Sequence, residues 1–319
     1  MAVHQRPNVV AGRGRPGWLT RETFPFESHF VDVNGTAIHY VDEGSGPALL
    51  FVSAGFWSFM FRDVILRLRS EFRCLSLDFP GSGLSGPAGA GRSDQSVLAN
   101  AKILEGFIEA LDLQDITMAV HDVGGPIGFR VATDHPDRFR ALVITNTFGW
   151  PLRDYPTVRR MLGFVASPWF GAVNTNLNLL IGFTATSYGV GRRLTKPARA
   201  AFKGPWRSRE VRRTTQQVLA GAGRIDPLMA ELERGLSTTL ADLPVLTLFG
   251  RKNDPYGWQQ RFGAMFHNVT AAGIEDGNHF PFNDDPDGYS EAITDWWARK
   301  VALPNDPPMA TRTASRRTA

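Results

Sequence analysis

The chain has 319 residues, of which 43% are apolar and 21% charged, a balance that excludes global disorder and supplies enough apolar side chains for a sizeable core. At roughly 150 residues per domain, the length fits two units or one α/β domain carrying an insertion. The single cysteine, Cys74, excludes an internal disulfide and suits a reducing compartment, and no Cys/His spacing of a structural zinc site is present.

Residues 1–25 are rich in Gly, Pro and Arg and lack the apolar core of a secretory signal, so they are expected to form a flexible tail on a cytoplasmic protein. Short β-branched and apolar runs then predict strands at His29–Val33, Ala37–Val41, Ala48–Val52, Arg73–Leu77, Ile116–His121, Ala141–Asn146, Pro244–Phe249 and Val269–Ile274. Asn34-Gly35 between the first two favours the positive φ of a tight turn and predicts an antiparallel pair. The later runs are almost continuously apolar and alternate with helical patterns at 59–68, 97–111, 125–133, 257–266 and 288–300. That alternation predicts an α/β fold, a mostly parallel eight-stranded sheet with helices on both faces.

Residues 151–240 interrupt the alternation with helical patterns alone, and predict a helical cap inserted into a core formed by 26–150 and 241–302. Within the cap, Phe164–Phe183 is the most hydrophobic stretch, but Pro168, Asn174, Asn176 and Asn178 break it and no membrane span is expected. The net charge is +4, and Arg192–Arg213 concentrates nine Lys or Arg against Glu210 alone. Such a run could attract an anion, but a solvated basic helix face accounts for it as well. Residues 303–319, ending in Arg312, Arg316 and Arg317, are expected to form a second flexible tail.

Ligands of open α/β sheets bind at the carboxyl ends of the strands, so polar residues just past strands are the first candidates for chemistry. Asp122 ends the run H-D-V-G-G, where a strand turns directly into a helix and pushes a nucleophile into the cleft. Asp254 follows the seventh strand and His279 the eighth. Each has a plain alternative: Asp122 or Asp254 could cap a helix, and a loop histidine is commonly just surface. Their order, nucleophile then acid then histidine, each beyond its own strand, favours a catalytic set.

With these residues in place, the chain resembles the α/β-hydrolase superfamily and, within it, the haloalkane dehalogenase and epoxide hydrolase branch with an aspartate nucleophile. The resemblance covers roughly 28–300 and is carried by H-D-V-G-G-P-I-G at 121–128, D-F-P-G-S-G-L-S at 78–85, W-S-F-M-F-R-D-V at 57–64, N-T-F-G-W-P at 146–151, G-R-K-N-D-P at 250–255 and G-N-H-F at 277–280. A serine hydrolase would show G-x-S-x-G at the elbow, and here Asp122 takes the serine position. The resemblance implies attack by Asp122 on carbon, a covalent aspartyl ester, and its hydrolysis by water that His279, oriented by Asp254, deprotonates. The implied oxyanion donors are the backbone N–H of Val123 and those of Ala54 and Gly55. The expected partners are a small-molecule substrate and water, with no metal or organic cofactor, no nucleic acid and no membrane; the oligomeric state stays open.

The sequence departs from the branch at the leaving group. Dehalogenases of this type place a tryptophan after the nucleophile and a second donor, often an Asn, after the third strand; here Val123 and V-S-A-G-F-W-S-F stand there. Replacement donors or pocket contacts are expected from Trp150, Trp169 and Trp206, with Tyr155, Tyr188 and Phe56 as further candidates. An epoxide hydrolase is the second expectation, although Tyr155 and Tyr188 lack a late-cap partner. A degenerate hydrolase fold kept for binding or biosynthesis is the third.

Overall fold

The computed structural model describes residues 14–87, 94–222, 226–304 and 306. Its first element pair is a hairpin: strands β1 (His29–Val33) and β2 (Thr36–Glu43) run antiparallel about Asn34 and Gly35, whose φ values of 54° and 79° give the turn that matches strand twist. The Asp32 carboxylate accepts the Gly35 N–H at 3.0 Å and fixes that turn. Strands β3 (Ala48–Val52), β4 (Arg73–Leu77), β5 (Ile116–His121), β6 (Phe139–Thr145), β7 (Val245–Gly250) and β8 (Val269–Ile274) complete one sheet in the order β1-β2-β4-β3-β5-β6-β7-β8. β2 is antiparallel to β1 and β4, and every other pairing is parallel. The expected α/β architecture is therefore observed.

Parallel strands need crossovers, and the helices that supply them cover both faces. Helices α1 (Arg62–Leu68), α2 (Val97–Ala110) and α3 (Gly124–Asp134) connect the first half of the sheet. Between β6 and β7 lie α4 (Pro156–Val165), α5 (Pro168–Leu177), α6 (Leu179–Thr184), α7 (Lys196–Phe202), α8 (Arg209–Ala222) and α9 (Asp226–Ser237). α10 (Trp258–Gly263), α11 (Pro281–Asp284) and α12 (Pro286–Lys300) close the chain. Two cores result. One packs α2, α3 and α10 against the sheet through Leu104, Phe107, Ile127, Phe129 and Phe262; the other packs α1 and α12 through Ile65, Leu68, Ile293, Trp296 and Trp297.

The cap boundary expected at 240 falls after α9, yet Met229, Leu232 and Leu236 of that helix are buried in the first core and α9 packs on α3. The N-terminal expectation needs a correction. Leu19, Phe24 and Phe26 are 2%, 0% and 0% exposed, and the Arg15 guanidinium donates to the carbonyls of Phe24 and Phe26 at 2.8 and 2.6 Å. Short apolar residues without periodicity here fill a recess beside Trp57 and Phe59. The packed chain thus begins well before residue 26, and residues 1–13 lie outside the described residues. At the other end, Asp306 pairs with Arg140 at 2.9 Å, whereas Arg312, Arg316 and Arg317 lie outside the described residues.

The sheet's switch point lies at β3 and β5, adjacent strands whose onward connections leave to opposite sides, β3 to β4 and β5 to β6. Loops diverge there and leave a crevice at the carboxyl edge. Two of the sequence motifs hold its walls. The Asp78 carboxylate, fully buried, accepts the N–H groups of Ser58 at 2.7 Å and Leu84 at 2.8 Å and meets His39 Nδ1 at 2.8 Å. The D-F-P-G-S-G-L-S and W-S-F-M-F-R-D-V segments are thereby tied to each other beside the crevice.

Candidate active site

β5 delivers Asp122 to this crevice on a sharp bend, with φ at 51°, a left-handed value that costs a side-chain-bearing residue energy and persists only where the surroundings enforce it. The surroundings do so here. The Asp122 carbonyl accepts the Thr147 hydroxyl at 2.6 Å and the Gly125 N–H at 3.0 Å. A Cβ on Gly124 would lie 2.3 Å from the Val52 carbonyl oxygen, and one on Gly125 2.0 Å from Thr147 Oγ1, so only glycine lets α3 begin this close to the sheet. The carboxylate keeps 22% of its side-chain surface open. Burial opposes its ionisation, but the hydrogen bond and charge of His279, together with the Val123 N–H, outweigh burial and hold it below the usual carboxylate range. The carboxylate is thus ready as an anion.

His279 faces it from the loop between β8 and α11, with Nε2 3.3 Å from Asp122 Oδ2 and 32% of its side chain exposed. The loop is tied down by three contacts. His121, next to Asp122 in the chain, bonds through Nε2 to the His279 carbonyl at 2.8 Å; the Asn278 N–H donates to Asp284 at 2.6 Å; and Arg192 of the cap donates to the Asp276 carbonyl at 2.6 Å. Burial first, then the neighbouring His279, pushes His121 down to about 3, so it is neutral. It donates from Nε2 and presents Nδ1 to the Ser53 hydroxyl at 3.3 Å.

Asp254 does not orient this imidazole. Its carboxylate accepts the N–H groups of Trp258 at 2.7 Å and Gln259 at 3.1 Å, satisfying the orphan donors of α10. The residue that meets His279 Nδ1 is Asn253, through Oδ1 at 3.0 Å. The physical reason lies in the short 3-10 turn at Arg251–Asn253, which turns residue 253 toward the histidine loop and leaves residue 254 at the helix start. Asn146, just past β6 with φ at 34°, braces that turn: its Oδ1 accepts the Gly250 N–H at 2.8 Å and its Nδ2 donates to the Asn253 carbonyl at 3.2 Å. Sequence reasoning missed both asparagines. They lie inside two of the quoted motifs, and counting three residues past the strand end at Gly250 would have reached Asn253.

The expected pocket residues part company. Phe56 is buried, its ring 5.5 Å from Phe280 and 6.4 Å from Trp206, beside the histidine loop. Trp150 is fully buried against Phe262 and Trp258 with the Arg261 guanidinium 4.4 Å over its ring. Trp206 spends its indole N–H on Thr215 Oγ1 at 2.9 Å, and the Tyr155 hydroxyl accepts from Arg261 at 3.0 Å. Trp169 and Tyr188 are 66% and 71% exposed. Ala54 is buried and Gly55 has φ at 84° in the loop after β3, where the resemblance puts oxyanion donors. Among the described residues no indole or phenol bonds to the Asp122 carboxylate, and no cluster of His, Cys, Asp and Glu could hold a metal ion.

Comparison with known proteins bears on the fold and the family. The family described as alpha/beta hydrolase fold matches residues 47–286. Haloalkane dehalogenase 2 of Mycobacterium tuberculosis is 31% identical over 280 residues, covering 85% of this chain and 95% of the relative. A cis-3-alkyl-4-alkyloxetan-2-one decarboxylase of Xanthomonas campestris is 27% identical over 293 residues, covering 83% of this chain and 94% of the relative. The crystal structure of haloalkane dehalogenase DbeA from Bradyrhizobium elkani superposes with a TM-score of 0.75 at 20% identity, over 86% of this chain and 98% of that one. The chain belongs to the α/β-hydrolase fold family, as a hydrolase of the haloalkane dehalogenase type.

Proposed function

We propose that Asp122 displaces a leaving group from an sp³ carbon and that His279 directs water onto the resulting ester. In the first step an Asp122 oxygen bonds to carbon and the bond to the leaving group breaks with its electron pair. In the second, His279 Nε2 takes a proton from water as the water oxygen adds to the Asp122 carbonyl carbon. The N–H of Val123 and those of the Ala54–Gly55 loop stabilise the oxyanion. Collapse expels the product alkoxide, which takes the proton from His279 and leaves as an alcohol; Asp122 is left as the carboxylic acid and returns to the carboxylate by giving its proton to solvent. The carrying observation is the 3.3 Å approach of His279 Nε2 to Asp122 Oδ2 from a separate strand end.

Asn253 bears on the second step alone, and both helps and handicaps it. Its Oδ1 holds the Nδ1–H tautomer that leaves Nε2 free to accept a proton, but a neutral amide stabilises the imidazolium less than a carboxylate does. The amide can also turn and offer Nδ2–H, which selects the wrong tautomer, and an acid-to-amide change of this kind can cost roughly 10⁴ in turnover. Substituting His279 by Gln tests the proposal: incubation with 1-bromoalkanes should leave an alkyl adduct on the peptide containing Asp122, seen by mass spectrometry. A panel of haloalkanes and epoxides that leaves no adduct would favour a binding role instead.

A second reading is supported by the same departures. Val123 and the spent indole of Trp206 leave a departing halide poorly served. An oxetan-2-one needs neither a halide site nor activated water. Attack of Asp122 at the ring carbon bearing oxygen breaks that C–O bond and frees a carboxylate that stays attached to the substrate. Loss of CO₂ then sends its electrons into a new C=C bond as the aspartyl oxygen departs. Release of CO₂ and alkene from a cis-3,4-dialkyl oxetan-2-one, against halide from a bromoalkane, separates the two. Epoxide opening has the least support, since Tyr155 is engaged by Arg261 and Tyr188 is exposed.

A further inference from the structure

Apart from Arg192, which ties down the histidine loop, the basic run of the cap plays no part in the chemistry above, and neither do the apolar side chains exposed beside it. Seven large apolar residues, Met161, Phe164, Trp169, Leu177, Leu179, Phe183 and Tyr188, are between 46% and 71% exposed within one 28-residue stretch. They sit on α4, α5 and α6 and just beyond, three consecutive helices in contact with one another. α4 buries none of its residues. Its inward stripe, Val158, Leu162 and Val165, is half-buried, while Arg160, Met161 and Phe164 share the open side. Phe164 lies 6.2 Å from the Trp169 ring and Phe183 stacks on Tyr188 at 6.3 Å, so the exposed groups are gathered in clusters. Solvent-facing patches of this kind mark contact surfaces.

Charge identifies the partner. From Tyr155 to Arg209 the chain holds no Asp or Glu but nine cations, Arg159 and Arg160 on α4 and seven more from Arg192 onward. Arg192 and Arg193 face Asp284 and Asp287 of the core, whereas Arg159 and Arg160 are exposed among the apolar groups. Arg159 and Arg160 on α4 beside a face that α5 and α6 continue with apolar side chains and no charge match the boundary of a bilayer with anionic headgroups: rings and chains enter the acyl edge while the two guanidinium groups meet phosphate. A nucleic acid would use the arginines but has no use for Leu177, Leu179 and Met161.

We propose that the α4–α6 face of the cap docks peripherally on an anionic lipid surface. This departs from the expectation of no membrane partner, which rested on the lack of a spanning segment; no helix among the described residues is long and apolar enough to cross a bilayer. The docking does not depend on the reaction assigned to Asp122.

The test is co-sedimentation of the full chain with vesicles of phosphatidylglycerol and phosphatidylcholine, against phosphatidylcholine alone. Binding is expected to the anionic vesicles only, to weaken as salt is raised, and to blue-shift the emission of exposed Trp169. M161S/F164S/F183S and R159E/R160E should each cut partitioning by at least about tenfold. Both should keep the parent's circular-dichroism spectrum and melting temperature, which shows them folded. Failure of the folded parent protein to sediment with anionic vesicles overturns the proposal. So does a stable dimer in light scattering that M161S/F164S/F183S dissociates, since the face would then be a self-interface. Absence of an Asp122 adduct in His279→Gln, with vesicle binding of the parent intact, counts against the proposed function alone.

Discussion

The turn that carries Asp122 and the turn that carries Asn253 end strands two places apart in the same sheet, yet they are built to different tolerances. The first is over-determined: two glycines with no room for a methyl group, a buried hydroxyl on the strained carbonyl, and an imidazole neighbour excluded from water. The second is an exposed 3-10 turn whose functional contact is one amide oxygen on one ring nitrogen. Strain can be kept only where packing enforces it, so the attacking group sits where nothing yields. The proton-handling group hangs on the more adjustable side, and the two halves of the reaction should respond differently to change.

Removing the nucleophile gives the largest effect. Asp122→Asn should lower covalent labelling and turnover by more than about a thousandfold, measured by adduct mass and halide release, because the attacking group has no substitute. His279→Gln should separate the halves, with alkylation within about tenfold of the parent and ester release slower by more than about a hundredfold in single-turnover experiments. Equal loss in both steps would show that His279 also assists attack. Asn253→Asp then sharpens the comparison: a carboxylate in place of the amide should speed ester release by about tenfold or more while leaving alkylation unchanged. An unchanged release rate would mean that ester hydrolysis is not the step the amide limits, and would favour the oxetan-2-one reading. On the rigid side, Gly125→Ala should cost about 1–3 kcal/mol by denaturant unfolding, as Thr147 is driven off the Asp122 carbonyl.

The smallest effects are in pH dependence. With its carboxyl held below the usual value of 3.8, Asp122 should alkylate at a constant rate from neutrality into mild acid and slow only as pH falls past its lowered value. His121 works on stability. Its folded value of about 3 lies under the ordinary 6.5, so between these limits the unfolded chain binds more protons and stability falls as pH drops. Thermal melts from pH 7 to 5 should show that decline, and His121→Gln, which keeps an amide donor near the His279 carbonyl, should flatten it.

How far the sequence could be read depended on what set each element. β3 and β5 are buried on both faces; β3 is an unbroken apolar run and β5 one broken only by Thr117 before it ends at His121, so their limits are legible. β2 extends beyond its apolar run because Asp42 and Glu43 continue the antiparallel ladder with β4, pairing Leu75 and Cys74, a fact of the partner strand and not of the residues themselves. The bend at Asp122, the proposed nucleophile, was legible because it needs a specific local pattern, a strand end followed by two glycines. The acid position was not. Asn253 and Asp254 are adjacent, both polar and both past a strand, and a 3-10 turn decides which of them reaches the histidine and which caps the helix. The N-terminal residues Leu19, Phe24 and Phe26 follow no period, so only the recess beside Trp57 reveals their burial.

The bond from His121 to the His279 carbonyl has one more consequence. Nucleophile and base belong to distant parts of the chain, yet the residue that fastens the base is the immediate neighbour of the nucleophile, so the pair is spaced by a short rigid strut within the sheet edge. Of the contacts named on the histidine loop, only that of Arg192 comes from the cap. A lineage could lengthen, reshape or exchange that roof, and with it the range of molecules admitted, without retuning the reacting pair beneath.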